Sequence, residues 1–256
     1  MQKKYIMNPL LVYSGKHVFH FTGFESALKI LATKSLQFGF FENMNDIAEV
    51  KKDVYGFISS DIIQNELSLY QSISLTKDKR TNRGFYIDPL WGHYAQKGNG
   101  VCFVFDINKL KLSVNDQFGK NASIKSIKYL SKFSNAIYTE GDTEESAKEY
   151  IKEHIDEIFF TKSKDWKYEQ EIRIVIKADN TFRRSLYWKD SLIAVIICLP
   201  RVEKYKESSE YKILKSLLVN IPILYYTTSL GNKKVVDENG HKVCDIIGVD
   251  QQILFE

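Results

Sequence analysis

With 256 residues, a formal charge of +4, 44% hydrophobic, 13% aromatic and 27% charged side chains, the composition is that of a globular protein and excludes a disordered chain. The longest apolar run, Ser191 to Pro200, is about half the roughly 20 residues that a membrane-spanning helix needs. Met1 to Leu11 holds two lysines and no apolar stretch of leader length, so no membrane role is expected and the cytoplasm is the expected compartment.

Val18 to Thr22 alternates as a strand, and Thr22-Gly23-Phe24-Glu25 has the Thr-x-x-Glu form of a capping box for the helix marked by Phe24, Ala27, Leu28 and Leu31. Leu36, Phe38 and Phe40 alternate as a second strand. Asp53 to Leu69 reads as a helix, and Gln71 to Thr76 as a half-buried strand with Ser72, Ser74 and Thr76 on one face. Asp88-Pro89 offers an N-cap followed by proline for a short helix through Trp91, Tyr94 and Ala95, ended by Gly98 or Gly100. Val101 to Phe105 is an apolar strand. An acidic cap over Asp142 to Glu145 opens one long helix with Ala147, Tyr150, Ile151, Ile155, Ile158 and Phe159 on its apolar face. The strand from Glu171 places Ile172, Ile174 and Ile176 opposite Glu171, Arg173 and Val175. Ile193 to Leu199, a helix over Tyr211 to Leu218, Ile221 to Tyr226 and a closing hairpin about Asn239-Gly240 complete the chain.

This mixture lacks strict strand-helix alternation, so the fold class is α+β with mixed or antiparallel sheets. No Pro/Gly/Ser-rich linker interrupts it, and residues 1–256 are expected to form one domain. Cys102, Cys198 and Cys244 are odd in number and far apart, which fits reduced thiols better than a disulfide framework. Basic residues gather at Lys77–Arg83, Lys109–Lys132 and Arg201–Lys206. They permit nucleic-acid contact, although solvated loops cluster in the same way.

The chain has no phosphate-binding P-loop, no G-x-G-x-x-G, no H-E-x-x-H, no C-x-x-C and no G-x-S-x-G. Readings as a P-loop ATPase, Rossmann dehydrogenase, zincin or α/β-hydrolase lose their main support. His17 and His20 lie three apart on a strand and point to opposite faces, so no metal site is expected. His93, His154 and His241 need only surface or packing roles. What remains is three polar rows on strands: His20 with Thr22; Ser72, Ser74 and Thr76; and Glu169, Glu171 and Arg173. Any half-exposed sheet shows such alternation, and Trp91 and Tyr94 at i, i+3 have a spacing more often used for core packing. If the rows line one cleft, it holds an imidazole, hydroxyls, two carboxylates and a guanidinium.

The same segments resemble a largely bacterial family of unknown function. The matching stretches are His20-Phe21-Thr22 with the helix through Leu31, Ser35-Leu36-Gln37-Phe38, Asn45-Asp46, Ser72-Ile73-Ser74-Leu75, Leu90-Trp91-Gly92-His93-Tyr94-Ala95, Gly100 to Asp106 and Lys162 to Arg173. Ile47 stands where that family continues with proline, and Cys198-Leu199-Pro200 replaces a strand-ending glycine. The family is distantly similar to ADP-ribosyltransferases. That resemblance implies an ADP-ribosyltransferase-like fold of two packed small sheets with flanking helices, holding NAD as substrate. It also implies transfer of ADP-ribose to a macromolecule, with RNA, DNA and protein as candidate acceptors, in a toxin-antitoxin or antiviral defence setting with an antitoxin partner. NAD glycohydrolysis and a non-catalytic nucleotide- or nucleic-acid-binding module are the alternatives.

By the same resemblance Glu171 is the first choice for the catalytic carboxylate and Glu169 the second. His20 would bind a ribose hydroxyl or orient the nicotinamide half, supported by Phe21 and Thr22. Ser74 supplies the hydroxyl of a central strand, Trp91 or Tyr94 would cover the nicotinamide ring, and Arg173 would pair with a carboxylate or meet the pyrophosphate. The chemistry explains why a carboxylate is needed: cleaving the nicotinamide-ribose bond builds positive charge on the ribose, which a fixed anion stabilises.

Overall fold

The opening alternation forms β1 (His17–Thr22), in which Phe19 and Phe21 are buried and His20 and Thr22 half-buried. A computed structural model describes residues 14–46, 49, 53–56, 60–132, 136–139, 143–198, 206–229 and 232–240. The expectations placed on Met1–Leu11, Ile47, Asp142, Leu199–Pro200, Arg201 and Lys204 of the third basic cluster, His241 and Cys244 lie outside the described residues.

After β1 come β2 (Ser35–Gln37), β3 (Gly39–Phe40), β4 (Asp53–Gly56), β5 (Tyr70–Lys77), β6 (Val101–Asp106), β7 (Ala122–Ser126) and β8 (Lys128–Leu130). They are followed by β9 (Ala136–Thr139), β10 (Thr161–Ser163), β11 (Glu171–Lys177), β12 (Ser185–Tyr187), β13 (Leu192–Cys198), β14 (Ile223–Ser229) and β15 (Asn232–Val236). With the helices between them this is a mixed α+β chain, and no described helix is long and apolar enough to cross a membrane.

The chain forms two compact units, each built from separated segments: unit 1 from Met1–Ser35, Thr76–Leu110 and Trp188–Glu256, and unit 2 from Leu36–Leu75 and Lys111–Tyr187. In unit 1, β1 and β6 run antiparallel in unbroken register from His17↔Asp106 to Thr22↔Val101. The far edge of β6 pairs with β13, β13 with β14 in parallel, and β14 with β15 antiparallel. Gly100 enters β6 where a Cβ would lie 2.3 Å from the Thr22 carbonyl oxygen, so any side chain would force the strand away. In unit 2, β5 neighbours β3 and β11, and β11 pairs antiparallel with β7. Two short parallel pairs, β8 with β10 and β4 with β9, cover a core that includes Ile63, Leu67, Tyr70, Ile137, Ile151, Phe159 and Val175.

Several local expectations are corrected. The helix Phe24–Thr33 begins after Gly23 with no side-chain cap, because Thr22 is spent as the last residue of β1; the Gln96 side chain accepts the Phe24 N–H at 3.1 Å instead. Asp53–Leu69 is not one helix but β4 followed by the helix Ser60–Ser68, because Val54 and Tyr55 favour extended backbone and Gly56 at φ 123° cannot be helical. Asp88 is the first helical residue and Ile87 the cap. The long helix is two, Glu144–Glu153 and Ile155–Phe159, broken at His154, and it is capped by Thr143 in a reciprocal box with Ser146. β14 pairs antiparallel with β15, and the second arm of the hairpin expected about Asn239-Gly240 lies outside the described residues.

Candidate functional site

Four of the sequence-derived site residues, Ser74, Glu169, Glu171 and Arg173, belong to unit 2. Glu171 and Arg173 project from β11, whose hydroxyl-bearing neighbour β5 supplies Ser74. Glu169 ends a 3-10 turn, Lys164–Glu169, rather than lying on the strand, and Gln170 at φ 49° joins that turn to β11. The fourth wall is β10, a three-residue strand that brings Lys162 inward, and Glu49 closes the group.

Arg173 grips Glu171 with two hydrogen bonds, Nε to Oε1 at 2.7 Å and Nη2 to Oε2 at 3.0 Å. Its Nη1 lies 2.8 Å from the Phe159 carbonyl oxygen, to which it donates, and 2.8 Å from Glu49 Oε1. Lys162 Nζ donates to Glu169 Oε2 at 2.8 Å and stands 3.6 Å from both Glu49 Oε2 and Glu171 Oε2. Lys162 also lies over the Trp166 ring at 4.4 Å. None of the five charged residues is more than 4% exposed, so three carboxyl groups face two cations away from water. Such a group persists only when its members are paired and hydrogen-bonded.

Burial works to raise the Glu171 pKa, but Arg173, Lys162 and the Ser74 hydroxyl outweigh it and hold the carboxyl below its usual range. Burial likewise opposes charge on Lys162, and Glu171, Glu49 and Glu169 overcome it and push the amine up. The Glu171 N–H donates to the Tyr129 hydroxyl at 2.8 Å, and burial raises that phenol well above its usual value. The group therefore presents one ionised carboxylate gripped from below by a guanidinium and bonded to a serine on an exposed position of β5. A cavity of about 300 Å3 adjoins it at Glu49, walled by Phe40, Phe41 and Phe159.

The remaining site residues of the sequence reading belong to unit 1. His20 and Thr22 are half-buried on β1, and Tyr94 is half-buried on its helix. Phe21 is 8% exposed and meets Trp91 edge-on at 5.1 Å. Trp91 is 3% exposed, stacks on Tyr226 at 5.2 Å and donates its indole N–H to the Phe85 carbonyl at 2.8 Å, which is the packing arrangement its spacing with Tyr94 favours. No group of three described His, Cys, Asp or Glu side chains is arranged to hold a metal.

Lys162 and Glu49 escaped the sequence reading. Lys162 carries a faint signal, a lysine two residues past the apolar run Ile158-Phe159-Phe160; Glu49 carries none.

Residues 90–174 match DUF2971, a protein family of unknown function, and that stretch runs from Leu90 to Ile174 through Glu169, Glu171 and Arg173. The sequence matches no curated protein. Among solved structures the chain is similar to DarT of Thermus sp. 2.9 in complex with ADP-ribosylated ssDNA, at 12% identity over 81% of this chain and 91% of that one, with a TM-score of 0.36. A superposition that loose does not define a shared fold.

Proposed function

We propose that this protein cleaves the nicotinamide-ribose bond of NAD and transfers ADP-ribose to a macromolecule, with Glu171 as the carboxylate that stabilises the developing ribose cation. The observation that supports the reading is the Ser74–Glu171–Arg173 chain: an ionised carboxylate, oriented by two guanidinium bonds and one hydroxyl, beneath an exposed serine. A stabilising anion must be charged before the substrate arrives and must not turn away from the reacting carbon. The depressed Glu171 pKa meets the first need and the bidentate Arg173 grip the second. Glu169, bonded to Lys162, is the second carboxyl within the same group and the candidate to activate the acceptor.

The test is incubation with NAD labelled on the adenosine half, with and without cell extract. Label on a macromolecule supports transfer, free ADP-ribose replaces the acceptor by water, and intact NAD removes the reading. Glu171→Gln is expected to lower turnover about a hundredfold or more. That change also weakens a buried ion pair, so Ser74→Ala is the companion: it leaves Arg173 and Glu171 paired, and turnover should fall about tenfold while the melting temperature stays put.

A further inference from the structure

The parallel pair β4 and β9 has an inside and an outside. Val54 and Ile137 point into the unit 2 core, while the register partners Tyr55 and Tyr138 point out. Their rings stack at 5.3 Å and 17°, yet they are 53% and 64% exposed. Parallel strands are ordinarily covered on both faces, and two aromatic rings could remove much apolar surface from water if they were packed inward. Here they form an open plate.

Tyr138 also borders a cavity of about 540 Å3 whose lining includes Lys128, Lys132, Tyr150, His154 and Glu157. Inside it the His154 ring stacks on Tyr150 at 4.1 Å, and the Tyr150 hydroxyl accepts the Tyr138 N–H at 3.2 Å, so the second aromatic pair is fixed to the strand carrying the first. Lys128 and Lys132 are exposed and belong to the Lys109–Lys132 cluster for which the proposed NAD chemistry has no use.

We propose that this face binds single-stranded nucleic acid, with unpaired bases stacking on Tyr55 and Tyr138 and the sugar-phosphate chain passing Lys128 and Lys132. Stacking on a ring needs a free base face, which a duplex does not offer, and phosphates supply the charge complementary to the two lysines. An oligosaccharide would also lie on an aromatic plate, but its hydroxyls need acceptors, and the lining has one carboxylate against two ammonium groups. Binding at this face requires no NAD, so its failure and the failure of the glycosidic reading are separate results.

Fluorescence anisotropy without NAD tests it, using a fluorescein-labelled oligo-dT strand of about twenty nucleotides, long enough to cross one such site. A duplex of equal length, heparin and maltoheptaose serve as competitors. The single strand should bind more tightly than the duplex. The double change Tyr55→Ala with Tyr138→Ala should weaken it about a hundredfold, and Tyr→Phe at both positions should restore it. Lys128→Ala with Lys132→Ala should flatten the salt dependence by about 0.7 per lysine on a log-log scale. Equal affinity for strand and duplex, unchanged affinity in the double alanine variant, or displacement by maltoheptaose would overturn the proposal. If the alanine variant does not fold, photocross-linking of the unaltered protein to an iodouracil-bearing strand decides: adducts on the Tyr55 and Tyr138 peptides support the face, and adducts confined elsewhere refute it.

Discussion

Each unit buries a guanidinium against carboxylate, and the two arrangements differ in kind. In unit 1, Arg83 Nε donates to both oxygens of Asp78, at 2.8 and 3.0 Å, the Gly84 N–H reaches Asp78 Oδ1 at 3.3 Å, and His17 Nδ1 lies 3.9 Å from Oδ2. Asp78, Arg83 and Gly84 lie within seven residues of one another, so this group closes a loop after β5 and ties it to β1. In unit 2, Glu171 and Arg173 pair two residues apart on β11, and Glu49, Lys162 and Glu169 join them from outside that strand, with one more carboxyl than cations. A local, balanced pair is what a turn needs. A group that gathers surplus acid around one strand pair is what a reaction that builds positive charge needs.

The largest effect should come from Arg173→Met, which keeps side-chain volume but leaves Lys162 as the one cation facing Glu171 and Glu49 within the group. Losing one partner of a buried pair should cost about 3–5 kcal/mol, read as a shift in the urea midpoint. Arg83→Met should cost less, about 1–3 kcal/mol, because Asp78 keeps the Gly84 N–H. If the order reverses, the unit 1 pair carries more of the structure than the unit 2 group.

Acid sharpens the contrast with a smaller effect. Burial, aided by Arg83 and opposed by Asp78 and Asp106, lowers the His17 pKa below its usual 6.5. The unfolded chain then takes up a proton before the native one does, so stability should begin to fall as pH drops below about 6.5 and level off beneath the native value. Glu171 is shifted downward from 4.5, so its contribution persists above that pH and is lost only as pH falls through its lower native value. Urea midpoints across both windows should show two steps, and His17→Gln should erase the upper one alone.

Much of this was legible in the sequence where a period was repeated. The apolar rows of β1 and β11 recur at spacing two, β6 up to Phe105 and β13 are unbroken apolar runs, and Glu171 with Arg173 stood out because charges shared a strand with Ile172, Ile174 and Ile176. The burial of that polar row was not legible: Glu171 and Arg173 lie under partners more than a hundred residues earlier and about ten residues before, and no local period reports a covering element. Short strands were the other loss. β4 and β10 offer too few residues for a period to develop, and it is these that deliver Tyr55 and Lys162. The helix read over Asp53 failed at Gly56, a breaker visible in the sequence but outweighed by the apolar spacing that follows it.

The segment layout sets a schedule for synthesis. Unit 2 is complete once Tyr187 has left the ribosome, whereas the outer strands of the unit 1 sheet, β13 to β15, come after it. Until they emerge, the far edge of β6 has no neighbour and carries the fully buried side chains of Val101, Phe103 and Phe105 on an open ladder. The nascent chain therefore holds one edge of an apolar strand unpaired through translation of the residues between β6 and β13, a span over which a chaperone would matter most.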